Sequence, residues 1–341
     1  MTIYSIGLDI HKKTIAYCIK RIDGNLIAQG EVSANRKALL AWLKEIPGPW
    51  MGAMEATIFT GWLYDFLKPH AVELKVAHPE MLKAITAAKK KNDRDDAERI
   101  CDLLRVDLLP ECYMLSTEIR ELRRVLRYRN MVVRNASQMK NKIAGLLMEV
   151  GESYDKRRLH GKRYFHDLLD RVEDVPESVK ELLLLTRGGL EMFTAMQKKL
   201  LRALQENELI RERVRRLRTI RGVGEVLALT WVLETGEPGR FKSSRDAISY
   251  CGLCSAQQQS AGKERRGPIS KKRNKHLQTM LVEAANIAPL WNEQLAALQA
   301  RELARGNRNR ATLAVARKLV EYMLAVERSG TDFVPLTAKA A

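Results

Sequence analysis

Apolar and polar positions in the first hundred residues fall into short alternating blocks. Three β-rich runs, Ile3 to Asp9, Thr14 to Arg21 and Leu26 to Val32, lie close together, and Asp23-Gly24 between the last two is a hairpin signal. They predict an antiparallel meander. Asn35 is placed to cap a helix through Leu43, Trp50 to Met54 is a short buried strand, Gly61 to Leu67 is helical, and Val72 to Ala77 is strand again. Another helical turn is expected to start near Asn92. The order is three strands, helix, strand, helix, strand, helix.

From Leu115 the period becomes helical. Leu115, Ile119, Leu122, Leu126, Val133, Ala136, Met139, Ile143, Leu146 and Val150 form an apolar seam that only Arg129 interrupts. A seam of roughly five heptads predicts a long helix with a helical partner. The partner is either another subunit or the second helical region, Val179 to Leu217, folded back as a hairpin after a connector from Gly151 to Pro176. Ile220-Arg221-Gly222-Val223-Gly224 and the apolar run Val226 to Leu233 open a last, mainly α part. Helices near His276 to Ala288 and Ala311 to Val326 complete it, with a loose tail after Asp332. The expected divisions are 1–110, 111–217 and 218–335.

The element order of the first division matches an α/β ribonuclease H-like sheet, where carboxylates ending the first and fourth strands meet others on a late helix at one edge. This chain supplies Asp9, Glu55, Asp93, Asp95 and Asp96 at such places. Magnesium prefers oxygen ligands, and a two-ion phosphodiester site needs three or four carboxylates from separate elements. Asp93 and Asp96 share a helix face, whereas Asp95 points elsewhere. Taken singly, Asp9 is an ordinary strand-end residue and the aspartates an ordinary helix start; only together do they make a metal site. Gly7-Leu8-Asp9 also opens actin-like kinases, but the turn Ile10-His11-Lys12-Lys13 lacks their small phosphate-cradling residues.

Charge narrows the substrate. Of 341 residues, 59 are Lys or Arg and 41 are Asp or Glu, a formal charge of +18 that usually serves a polyanion. The charge is clustered. Between Ile119 and Lys142 stand Arg120, Arg123, Arg124, Arg127, Arg129, Arg134, Lys140 and Lys142 against the single acid Glu121, a face suited to tracking phosphates of DNA or of RNA. A basic loop follows Ser260, with Lys263, Arg265, Arg266, Lys271, Lys272, Arg273 and Lys275 as phosphate-binding candidates. Gly222 and Gly224 can expose backbone N–H groups to a phosphate, as in helix-hairpin-helix modules, or simply form a glycine turn between helices. Ser260 has no neighbouring histidine to act as base, so by spacing it is a loop residue. It could nonetheless attack a phosphodiester if cations stabilised its alkoxide.

No apolar run is long enough for a membrane span, and the chain starts directly in a strand, so neither export nor a membrane partner is expected. Cys18, Cys101, Cys112, Cys251 and Cys254 read as reduced thiols of a cytoplasmic protein; the Cys251/Cys254 pair lacks the further ligands of a zinc site.

In sequence, Gly7-Leu8-Asp9-Ile10, Met54-Glu55-Ala56-Thr57, Asn92-Asp93-Arg94-Asp95-Asp96-Ala97, Gly222-Val223-Gly224 and Gly252-Leu253 with Ser260-Ala261-Gly262 resemble a DEDD-type transposase of bacterial insertion sequences. The resemblance runs from residue 3 to about 330 and is to the kind called bridge-RNA-guided recombinases. It implies a RuvC-like amino-terminal domain similar to a Holliday-junction resolvase, a coiled coil joining protomers, and a carboxy-terminal domain that supplies a nucleophilic serine. The four family acids fall on Asp9, Glu55, Asp93 and Asp96, and the serine on Ser260. Also implied are two Mg2+ ions, a homotetramer with composite sites, action at the bacterial nucleoid, and a structured noncoding guide RNA that pairs with double-stranded target and donor DNA. The chemistry it implies is a 5′-phosphoserine intermediate. Two rival readings remain at this stage: a metal-dependent resolvase or nuclease using water, and a noncatalytic RNA-binding scaffold.

Overall fold

The computed structural model describes residues 3–85, 92–172, 175–260, 263–271 and 273–335, with the backbone alone described at 256–260, 263–266 and 268. The chain forms two compact units, Met1–Thr117 and Glu118–Ala341.

In the first unit, β1 (Tyr4–Ile10), β2 (Thr14–Arg21), β3 (Leu26–Ser33), β4 (Trp50–Glu55) and β5 (Glu73–Ala77) form one sheet in the order β3-β2-β1-β4-β5. The first three strands pair antiparallel, and β4 and β5 continue parallel to β1. Parallel neighbours need crossovers, supplied here by α1 (Arg36–Glu45) before β4 and α2 (Thr60–Leu67) before β5. Asn35 caps α1 by accepting from the Ala38 amide at 2.9 Å. Next come α3 (Pro79–Ile85) and α4 (Asp93–Arg105). This mixed α/β sheet has the element order expected from the sequence.

Both sheet faces are covered. Side chains alternate along a strand, so Ile6, Leu8 and Ile10 of β1 enter one core with Trp50 and Met54 of β4, beneath Leu39 and Trp42 of α1 and Leu63 and Leu67 of α2. Tyr17, Trp42 and Trp50 meet there with ring centroids 5.2 and 6.5 Å apart. The opposite face receives α4. Ala97 and Cys101 of α4 pack with Ala16 and Cys18 of β2, and the Cys101 thiol donates to the Ser5 carbonyl at 3.2 Å. The approach is so close that a Cβ on Gly7 would lie 2.0 Å from the Ala97 carbonyl oxygen and 2.4 Å from the Cys101 nitrogen. Glycine is what lets α4 rest on β1.

The second unit is mostly helical. α5 (Thr117–Glu149) has 33 residues, about 50 Å at helical rise. Its carboxy-terminal half buries Ala136, Ile143, Leu146 and Leu147 against α6 (Lys162–Arg171) and α7 (Glu177–Gln205) of the same chain. Buried positions follow 3.6-residue geometry, so Val132 is inside where a strict heptad chose Val133. The expected second long helix is divided: Asn207 caps a separate α8 (Glu208–Leu217), accepting from the Leu209 amide at 3.2 Å. α9 (Glu225–Thr235) carries apolar residues on every side and is buried from Leu227 to Thr235, Glu234 included. It packs on α8 and on α11 (Lys275–Ile287), after α10 (Ser244–Tyr250). α12 (Glu293–Arg305) and α13 (Arg308–Ser329) close the unit. α12 escaped the sequence reading because only Leu295 of it is buried, leaving little apolar periodicity.

The stretch read as a basic loop is ordered otherwise. β6 (Ser255–Ser260) and β7 (Lys263–Ile269) form an antiparallel hairpin with Ser260 opposite Lys263. Its polar, charged strands carry no apolar alternation from which to recognise it.

Candidate active site

Period two sets the first acid. Gly7 and Ser5 face α4, so Asp9, two further along β1, emerges on the α4 face at the strand end. On β4, Met51 and Ala53 pack on that same face, so Glu55 follows them there. The register Leu8 to Met54 brings the ends of the two strands side by side. The turn after β4 is fixed by Thr60, whose hydroxyl accepts from the Thr57 amide at 2.7 Å and donates to the Glu55 carbonyl at 3.2 Å.

α4 brings the remaining acids. Asn92 caps it, accepting from the Arg94 amide at 3.1 Å, and Asp93, Asp95 and Asp96 occupy its first turn. Asp93 joins Asp9 and His11 in a cluster whose ligand atoms all lie within 4.8 Å of one another. The His11 Nε2 is 3.2 Å from Asp9 Oδ2 and 3.3 Å from Asp93 Oδ2. Asp96 is half-buried and paired with Arg99 at 3.0 Å, while Asp95 is exposed.

Burial raises the Asp9 carboxyl above its ordinary value; His11 opposes this, and the negative charges of Asp93 and Asp96 add to it. Packed carboxylates disfavour one another's ionisation until a cation joins them. Oxygen donors from two elements, with one imidazole, suit a divalent metal. The acid-rich edge therefore fits such an ion. His11 was missed as a site residue, although its signal was present: it stands at Asp9 plus two, the spacing that keeps side chains on one face of an extended chain.

In the second unit the basic residues divide by partner. Arg124, Arg134, Lys140 and Lys142 are exposed along α5, and Arg120, Arg123 and Arg129 are partly buried. Arg127 is engaged by Glu234, at 2.7 Å from Nε and 2.7 Å from Nη2. Burial lowers the Arg123 guanidinium, with repulsion from Arg127 adding to it. Gly222 adopts φ +98°, and a Cβ there would meet Ala288 at 2.4 Å, so the turn between α8 and α9 requires glycine. Gly224 stands at the start of α9, and Arg218 pairs with Glu225 of its first turn at 3.2 Å. Lys271 and Arg273 are exposed after β7; the side chains of Ser260, Lys263, Arg265 and Arg266, and the whole of Lys272, lie outside the described residues. Cys251 and Cys254 are free thiols. Among the described residues, no helix is long and apolar enough to cross a membrane.

Known proteins give this arrangement its class. Residues 6–151 match a family model described as a transposase, the DEDD transposase of IS110 elements, and residues 214–300 match the transposase IS116/IS110/IS902 family. The chain is thus a transposase, an enzyme that cuts and transfers DNA. It is 25% identical to the "Probable family 20 transposase" of Pseudomonas aeruginosa, over 84% of each chain. It is also 24% identical to the "Transposase for insertion sequence element IS1328" of Yersinia enterocolitica, over 96% of this chain and 98% of that one. The two matched stretches together take in more than half of the sequence, and the chain belongs to the IS110/IS116 family of DEDD transposases.

Proposed function

We propose that this transposase recombines target and donor DNA under the direction of a noncoding guide RNA, through a covalent serine intermediate formed with the help of divalent metal. The observation that carries this reading is the convergence of Asp9, His11 and Asp93 at the edge of the mixed five-stranded sheet, in a chain whose second matched stretch contains Ser260. In this reading Asp9, Glu55, Asp93 and Asp96 hold two Mg2+ ions. When bound, these ions supply Lewis-acid stabilisation of charge at the scissile phosphate.

The Ser260 oxygen attacks phosphorus and the bond to the 3′ oxygen breaks, leaving a 5′-phosphoserine; the proton released by the serine is matched by the one the departing 3′ oxygen takes up to become a hydroxyl. Attack by a second 3′ hydroxyl then reverses the step on the exchanged strand. One phosphoester replaces another at each stage, so no nucleotide hydrolysis is needed. Lys263, Arg265, Arg266, Lys271, Lys272 and Arg273 neutralise phosphates around the serine, and backbone N–H groups at Gly222 and Gly224 hold the duplex as in a helix-hairpin-helix. The basic face of α5, with Arg120, Arg123, Arg124, Arg134 and Lys140, holds the RNA by its shape. The functional divisions are 1–110 for the metal site, 111–217 for RNA and assembly as a tetramer, and 218–335 for the serine and duplex, acting at the nucleoid.

The test is a denaturation-resistant protein–DNA adduct. The chain is co-expressed with its flanking noncoding DNA and given magnesium with target and donor duplexes, as wild type and Ser260→Ala. An adduct in wild type, absent from the variant, is the expected result. Strand cleavage without an adduct in either protein transfers the assignment to a resolvase-like nuclease that uses water.

A further inference from the structure

The β6–β7 hairpin joins the second unit through two roots, 250–254 and 270–274. The roots are laced to each other: the Asn274 amide donates to the Tyr250 carbonyl and the Ser270 amide to the Cys254 carbonyl, each at 3.0 Å. Gly252 adopts φ +70°, and a Cβ on it would lie 2.3 Å from the Arg273 Cβ, so one root runs directly over the other. Side chains from α11 and α13 hold the first root from outside, Gln278 Nε2 donating to the Gly252 carbonyl at 2.6 Å and Arg317 Nε to the Leu253 carbonyl at 2.8 Å.

Beneath both roots lies a carboxylate that the proposed chemistry does not use. Glu234, near the end of α9, has no exposed surface. Asn274 Nδ2 donates to its Oε2 at 2.9 Å, and the Tyr250 hydroxyl donates to its main-chain carbonyl at 2.8 Å. Asn274 Nδ2 also lies 3.2 Å from the Tyr250 oxygen. Arg127 from α5 completes the set with its bidentate pair. One buried residue thus fastens the exit of the hairpin, its return and a distant helix.

An ionised group is an expensive fastener in a protein interior, and well-packed apolar residues often give equal or greater stability. What a bidentate charged pair adds is direction, because its planar fork admits few geometries. The geometry enforced here is the take-off angle of the hairpin.

We propose that Glu234 is a positioning residue that aims the β6–β7 hairpin, and that Arg127 serves this network rather than nucleic acid. The catalytic consequence rests on the assignment of Ser260 as nucleophile; the mechanical claim does not.

The test compares the full chain, with its RNA and DNA, as wild type, Glu234→Gln and Tyr250→Phe. Three quantities are read: amide hydrogen exchange in 255–269 and in α13, DNA affinity, and the rate of adduct formation. In Glu234→Gln, hairpin amides are expected to exchange at least about tenfold faster while α13 keeps its protection. DNA affinity should stay within about twofold and the adduct rate fall by roughly 10- to 100-fold, the scale on which a displacement of about 1 Å acts. Tyr250→Phe, which loses one oxygen and keeps the ring, should give the same pattern at smaller amplitude. Unchanged hairpin exchange in both variants overturns the proposal. So does protection lost equally from hairpin and α13 in both, which would make Glu234 a support of the whole unit. If Ser260→Ala still forms the adduct, the nucleophile assignment fails, and hydrogen exchange still decides whether Glu234 holds the hairpin.

Discussion

Arg127 and Glu234 meet fork to fork, two N–H groups on two carboxylate oxygens at 2.7 Å each, with the carboxylate fully buried and the guanidinium side chain 43% exposed. Burial alone would push the Glu234 carboxyl up. The hydrogen bonds and charge of Arg127, with Asn274 and Arg123, hold it below the usual carboxylate range instead. A carboxyl depressed in the folded state adds stability that is present above its unfolded value and is lost as pH falls through the folded one. Arg127→Met removes the partner and leaves the buried charge. Breaking a buried pair typically costs 3–5 kcal/mol; because solvent reaches Arg127, the expected loss is about 2 kcal/mol by urea unfolding at neutral pH. The stability gap between wild type and variant should narrow as pH falls, because protonating Glu234 removes the wild type's ion pair and relieves the unpaired buried charge of the variant.

Gly7 carries the contact on which the acidic edge depends. Gly7→Ala places a methyl group where the Ala97 carbonyl and the Cys101 nitrogen already lie, so α4 must shift away from β1. Overpacking of this kind costs roughly 1–3 kcal/mol or more. Thermal unfolding should report that loss, and calorimetric titration with Mn2+ should show weaker binding, because Asp93 moves with α4 relative to Asp9.

Asp93 and Asp95 are expected to separate by face. Asp93→Asn should lower DNA strand transfer by more than about 100-fold, beyond what loss of a mere outer partner causes. Asp95→Asn should leave it within about twofold, since that side chain stands outside the Asp9 cluster. Strand-transfer rates for the two variants at saturating metal decide the matter.

His11 should tune metal choice. Imidazole nitrogen suits nickel, whereas magnesium favours oxygen donors. His11→Ala is therefore expected to weaken Ni2+ binding more than Mg2+ binding, measured by competitive titration on folded protein. Equal weakening of the two would place His11 outside the coordination sphere.

Lys20 is an interior cation of the first unit, 2.7 Å from Glu98 and 2.9 Å from Asp102 of α4. Burial alone would lower its ammonium, but these two partners raise it well above the lysine range. Lys20→Met leaves Glu98 without this cation and Asp102 with Arg105 alone, 3.5 Å away. The expected loss is about 1–3 kcal/mol by urea unfolding, smaller at 1 M salt, where the half-exposed carboxylates repel each other less.

What the sequence by itself determined is local. Short β-rich apolar runs wrote β1 to β5, and side-chain capping placed the starts of α1 and α4 at Asn35 and Asn92. These signals act over a few residues, within reach of one turn or one pleat. The acids at strand ends and on the α4 face were legible for the same reason. Tertiary structure decided whatever depended on remote partners. The hairpin after Tyr250 has no apolar code of its own, and two of its fastenings, Glu234 and Arg317, stand 16 and 64 residues from the positions they hold. Arg127 looked like one more cation on a basic face, because nothing within a helical turn announces an acid 107 residues away. Periodicity reports which side of an element is buried; which buried group a particular charge meets is set only when the elements pack.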